Sequence, residues 1–396
     1  MVTVQFDFSF GPEVTGTVQS LVDEFNQQHP GIRVKYREMP ADTDRYHDRL
    51  RRMFDSGASG RIDVIGGDVI WPAEFASKGW IADLSGRFPQ VERDKFLDAP
   101  IEANTYQGKN WGVPWFTDVG LLFYRKDLLD ASGFSSSPKT WDELKLIASR
   151  VKQASGIQDG FVFQGADYEG GVCNGLEFIW THGGDVLDSN NQVVINTTAA
   201  KNGLRTERSM VADSVAPQDV PTFTEGESLE RFIDGKAVFC RYWPDLYGAL
   251  GHPGGPRRDQ VGVAELPRGQ GVQQGGGCLG GYNMFINADS SHQNEAWEFI
   301  EFMTAREQQR RLAIGTSRLP TRKELYQDQQ LLNQVPNLNL SSGALNNARP
   351  RPINPCYLDM SGEMAEQFNL SLRGAVTPDQ AAQTLQTELS NIVANC

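Results

Sequence analysis

The stretch "VPWFTDVGLLFYRKDLL", residues 113–129, decides how the chain is read. Trp115, Phe116 and Asp118 stand together directly before the apolar run "VGLLFY". That run has the length and composition of a buried strand, and "RKDLL" turns it into a helix. A carboxylate beside aromatic rings at a strand's edge is either one stray charge on a core or a surface for something both flat and hydroxylated.

Outward from this point, strands alternate with helices. "TVQFDFSF" alternates as a strand. "GTVQSLVDEFNQQHPG" then places Val18, Leu21, Val22 and Phe25 at helical spacing and stops at Gly31. "IRVKYREM" and "IDVIGGDVIW" read as further strands, the second running into a loop. "TWDELKLIASRVKQ" is a helix with a capping box from Thr140 to Glu143. "LERFIDGKAVFCRYW" reads as helix, turn, strand and aromatic loop, and "NEAWEFIEFMTAREQQRRLA" as one long amphipathic helix. The last helix begins with Thr377 as N-cap and Pro378 at N1, with Ala382, Leu385, Leu389 and Ile392 along its apolar stripe. Such alternation predicts an α/β fold with a parallel sheet.

At 396 residues the chain is long enough for two domains, and no long linker separates them. More than one crossing between the two is therefore expected. The formal net charge of -13 disfavours nucleic acid as a partner, since the basic run "RLRR" at 49–52 is local. The five cysteines and five histidines show no metal-ligand spacing, so no metal is expected. Two disulfides with one leftover thiol would suit an exported protein, and buried free thiols are the plain alternative. The opening "MVTVQFDFSF" has no basic or apolar leader, which leaves a cytoplasmic chain or a mature exported domain.

Four carboxylates fall at strand-to-loop junctions: Glu13, Asp68, Asp118 and Glu169. Ligands of open α/β sheets bind at the carboxyl ends of strands. A loop acid or helix cap is the competing explanation for each, and Glu13 suits it well. Aromatic residues accompany the acids: Trp71, Phe116, Tyr168, Tyr242, Trp243, Tyr282 and Tyr357. A pyranose offers an apolar C–H face for stacking and a rim of hydroxyls for charged hydrogen bonds. "GGGCLGGYN" lacks the Lys-Ser/Thr of a phosphate loop; Gly280 and Gly281 instead suggest backbone approach to a ligand, with Tyr282 stacking. Pro350, Pro352 and Pro355 stiffen the loop carrying Arg351, which suits a donor held in place. No nucleophile or metalloenzyme motif occurs. A carboxylate pair acting as a glycoside hydrolase is the alternative chemistry, and a binder of a non-sugar solute is another.

The ordered segments "LVDEFNQQHPGIRVKY", "IDVIGGDVIWPAEFASKGWIADLS", "WGVPWFTDVGLLFYRKDLL", "FCRYWPDLY", "LGGYNMFI", "SRLPTRKELY" and "RPINPCY" carry a resemblance across nearly the whole chain. The sequence resembles the extracytoplasmic solute-binding proteins of ABC sugar importers, near the trehalose/maltose-type disaccharide binders. That resemblance implies a two-lobed, periplasmic-binding-protein-like (type II) α/β fold with a hinge between the lobes. It places an N-lobe at about 1–113 plus 288–320 and a C-lobe at about 114–287 plus 321–396. It further implies a sugar held in the interlobe cleft, hinge closure, docking on a membrane permease, a monomer outside the cytoplasm, and neither cofactor nor catalysis. By the family pattern Glu13, Asp68, Phe116, Asp118, Trp243, Gly281, Tyr282, Arg351 and Tyr357 are ligand residues; Tyr168 and Glu169 join them from their own loop position. Tyr282 stands where tryptophan is common, Phe116 where tyrosine is common, and Cys356 replaces a second aromatic. The resemblance also makes a disulfide among Cys173, Cys240, Cys278 and Cys356 plausible, because all four lie near the expected cleft loops.

Overall fold

The computed structural model describes residues 1–9, 12–40, 43–273 and 275–396, the side chains of Pro12 and Glu13 excepted. The chain forms two compact units. The first comprises Met1–Asp118 and Leu279–Asn339, the second Val119–Cys278 and Leu340–Cys396. The chain therefore passes between units three times, after residues 118, 278 and 339.

Twelve strands are described: β1 (Val2–Phe8), β2 (Ile32–Glu38), β3 (Val64–Asp68), β4 (Thr105–Tyr106), β5 (Lys109–Asn110), β6 (Val113–Val119), β7 (Leu121–Arg125), β8 (Asp159–Val162), β9 (Ala237–Tyr242), β10 (Val261–Ala264), β11 (Leu279–Ile286) and β12 (Leu319–Pro320). In the first unit the sheet order is β12-β6-β11-β3-β1-β2. β1 pairs in parallel with β2 and β3, while β11 runs antiparallel to β3 and β12 antiparallel to β6. The expected parallel sheet is thus mixed. Parallel neighbours arise where a helix carries the chain back, as Pro12–Gln28 does between β1 and β2. The antiparallel members enter from remote parts of the sequence.

Val18, Leu21, Val22 and Phe25 lie in the core of this unit with Phe6, Phe8, Trp115 and Phe299. Phe8 meets Trp115 edge-on at 4.7 Å between ring centroids, and Phe6 meets Phe299 at 5.1 Å. Such pairs add about 0.5–1.5 kcal/mol each beyond their buried area. The stretch read as one long helix is two, Gln293–Met303 and Arg306–Thr316. Ala305 between them is extended, at φ -69° and ψ 160°. Thr304 donates its hydroxyl to the Ile300 carbonyl at 2.7 Å, a local bond that competes with helix continuation.

The second unit is built on a four-stranded sheet, β10-β7-β9-β8, antiparallel except for the β8–β9 pair. Helix Trp141–Ser155 carries the expected capping box at Thr140 and Glu143 and ends at Gly156 in the left-handed region. Helix Glu169–Thr181 is buried from Gly170 onward, so it reads as an apolar segment rather than an amphipathic stripe. A Cβ at Gly175 would lie 2.3 Å from the Phe368 ring, so glycine is what lets this helix approach helix Tyr357–Arg373. Helix Pro378–Asn395 starts at Thr377 as read from the sequence. One disulfide, Cys356–Cys396, ties its end to the start of helix Tyr357–Arg373. Cys173, Cys240 and Cys278 are buried thiols. No disulfide joins the four cysteines grouped by the resemblance: Cys356 finds Cys396 because the last helix folds back beside it.

Candidate ligand-binding site

The candidate residues fall into two clusters, one in each unit. In the first unit, Asp68 ends β3 and stands in register with Tyr282 of β11. Its Oδ1 accepts the Ile70 backbone N–H at 3.1 Å, a bond that shapes the turn into helix Pro72–Ser77. Phe116 and Tyr282 stack at 5.3 Å and 20° between planes. They are 1% and 2% exposed, so each covers a face of the other inside the core. The Tyr282 hydroxyl lies 3.2 Å from that of Thr43. Burial, then the nearby Asp68 charge, pushes the Tyr282 phenol well above its ordinary pKa and keeps it a hydroxyl.

Asp118 forms a buried ion pair with Arg318 at 3.0 Å. Gly281 has φ +122°, and a Cβ there would lie 2.4 Å from the Phe116 carbonyl oxygen. Close approach of β6 and β11 thus accounts for this glycine. Glu13 falls in the first turn of helix Pro12–Gln28, and its side chain lies outside the described residues.

In the second unit, Glu169 opens helix Glu169–Thr181, where the helix dipole favours a negative charge. It accepts from Arg351 Nη1 at 2.6 Å, from Tyr357 Oη at 2.7 Å and from Ser361 Oγ. Three donors from the proline-stiffened loop and the helix after it thus fix one carboxylate. Tyr168 Oη donates to Glu225 Oε2 at 2.6 Å, and Trp243 Nε1 donates to Glu225 Oε1 at 3.3 Å. Arg241, buried behind Trp243, donates to both oxygens of Glu177 at 2.7 and 2.6 Å. Glu177 also accepts the Cys278 backbone N–H at 2.8 Å. A side-chain hydrogen bond with Cys278, then burial, raises the pKa of the Cys173 thiol, so it stays protonated.

The structure therefore gathers Asp68, Phe116, Asp118, Gly281 and Tyr282 in one unit, and Tyr168, Glu169, Trp243, Arg351 and Tyr357 in the other. The sequence reading missed Arg318, Glu225 and Ser361. Glu225 is one of several acids opening a helix and reads as a cap. Arg318 lies in the segment "SRLPTRKELY" that carries the resemblance, but nothing in that segment marks it as the partner of Asp118, and Ser361 lies in a stretch with no motif of its own. Chemically both clusters offer carboxylate acceptors, fixed donors and aromatic rings, with no side chain set up as an activated nucleophile among the described residues.

The chain belongs to the family of bacterial extracellular solute-binding proteins, which matches residues 11–310. A probable ABC transporter-binding protein of Deinococcus radiodurans is 32% identical over 370 residues, covering 91% of this chain and 87% of that one. The maltose-bound MalE3 of T. maritima superposes with a TM-score of 0.89 at 36% identity, over 99% of this chain and 100% of that one. The sugar-binding protein MalE of Xanthomonas citri superposes at 0.84 with 25% identity, over 100% and 98% of the two chains. The fold is accordingly the two-lobed α/β type, and the family acts outside the cytoplasm with transporter partners. Its members bind solutes and are not enzymes, which sets the hydrolase alternative aside.

Proposed function

We propose that this protein captures a neutral α-linked disaccharide or glucoside, of the trehalose, maltose, sucrose or glucosylglycerol type, and delivers it to the permease of an ABC importer. It works as a monomer, free or lipid-anchored outside the cytoplasm. One observation carries the reading: Glu169 is held by Arg351, Tyr357 and Ser361, and directly follows Tyr168, which shares Glu225 with Trp243. A carboxylate with spare acceptor capacity next to aromatic faces suits sugar hydroxyls and a sugar C–H face. Likeness to a structure that holds maltose supports it. In this reading Asp68, Asp118 and Glu13 supply further acceptors, and Phe116, Gly281 and Tyr282 shape the wall around them.

A thermal-shift screen over sugars, polyamines and peptides tests the solute class, because a ligand of the native state raises its melting temperature. Disaccharides are expected to shift it; a shift with polyamines or peptides alone would overturn the proposal. Asp68→Ala is expected to weaken binding of the best sugar at least about tenfold, or about 1.4 kcal/mol. Titration calorimetry with unchanged affinity would remove Asp68 from the site.

A further inference from the structure

Trp243 is held at one face and at one edge. The Arg241 guanidinium carbon lies 4.1 Å from the centre of its ring, over one face. That guanidinium is fixed in turn by two bonds to Glu177 and by a third, from Nη1, to Gln164 Oε1 at 3.0 Å. The indole N–H edge points to Glu225, which also takes the Tyr168 hydroxyl. One carboxylate thus joins two rings that come from different loops.

Glu225 is not needed to cap its own helix, Glu225–Ile233. Glu227 does that, accepting from the Thr224 backbone N–H at 2.8 Å and the Thr224 hydroxyl at 2.7 Å. The Glu225 carboxylate is therefore committed to Tyr168 and Trp243. Burial, then the Glu225 charge, holds the Tyr168 phenol well above its ordinary pKa, so its proton stays in that bond.

Resting on the sugar-binding reading above, we infer that Glu225 is a positioning residue that sets the orientations of Trp243 and Tyr168 together, and that it makes this wall select for neutral polyols. The donors of both rings are spent on Glu225, and one face of the indole is covered by Arg241. What remains for a ligand is the opposite indole face, the Tyr168 oxygen as an acceptor and the spare lone pairs of Glu225. A ligand edge fits here if it brings hydroxyl donors and a C–H face. A ligand carboxylate or phosphate meets a negative charge instead, because Glu177 already engages Arg241.

The test uses the full chain, with maltose and its acidic analogue maltobionic acid as probes. Glu225→Ala is expected to weaken maltose binding at least tenfold and to shift the tryptophan emission of the ligand-free protein, since the indole N–H loses its carboxylate. Glu225→Gln keeps one acceptor oxygen and the side chain's shape. It is expected to bind maltose between wild type and Glu225→Ala, and to narrow the preference for maltose over maltobionic acid. If wild type binds maltose and both variants match its affinity, emission and preference, the positioning role is overturned while the sugar reading stands. If wild type binds no sugar, the sugar reading falls. The emission of Glu225→Ala then decides the positioning role separately, a shift supporting it and no shift overturning it.

Discussion

Glu207 sits 2% exposed within helix Thr198–Ala212. Burial alone raises its pKa to about 8. Because the folded value lies above the unfolded one, the folded state holds the proton more tightly. The resulting stability is fully present below the unfolded pKa and is lost as pH rises through about 8. A shift of this size corresponds to roughly 5 kcal/mol as an upper figure. Glu207→Gln is therefore expected to flatten the stability profile and to be the more stable form at pH 9, read from denaturant midpoints at pH 5 and pH 9. Parallel profiles for the two proteins would show that Glu207 finds a charged partner on folding. Asp7 behaves in the same sense more mildly: burial outweighs its bond to Arg37 and raises its pKa.

At the scale of elements, β11 is the demanding strand, since every residue from Leu279 to Ile286 is buried. Gly281→Ala must place a methyl group against the Phe116 carbonyl in a backbone conformation that suits glycine. A cost of at least about 2 kcal/mol is expected from strain and overpacking. Gly86→Ala is the control, because nothing lies within 4 Å of its Cβ position. Denaturant unfolding that finds the two variants equally stable would contradict the close approach of β6 and β11. Helix starts were legible in the sequence because caps are local: Thr140 bonds Glu143, and Thr377 bonds Gln380. Strand direction was not, because β11 and β12 pair with partners that arrive from far along the chain. The break at Thr304 escaped because the apolar spacing on either side still fits one helix. Arg318 and Glu225 escaped for a related reason. Asp118 is 200 positions from Arg318, and Tyr168 is 57 from Glu225, so no window of sequence holds both partners.

Across the molecule, the disulfide Cys356–Cys396 closes a loop of 40 positions. Restricting the unfolded chain this way stabilises by about 4 kcal/mol on the chain-entropy view. Replacing both cysteines by serine is expected to lower the stability of the second unit by roughly 2–4 kcal/mol, measured by denaturant unfolding with and without reductant. Only the wild-type protein should respond to the reductant, and a response of the double variant would mean that two of Cys173, Cys240 and Cys278 are joined in a disulfide rather than free. The order of strands in the first unit has another consequence. β11 lies between β6 and β3, yet it follows β6 by some 160 residues. A chain emerging from the ribosome makes four of that sheet's six strands, β1, β2, β3 and β6, before the strand that joins them, and loop closure over such a span is slow. Synthesis can therefore run well ahead of folding, which leaves the polypeptide threadable for longer, as a protein bound for the far side of a membrane requires.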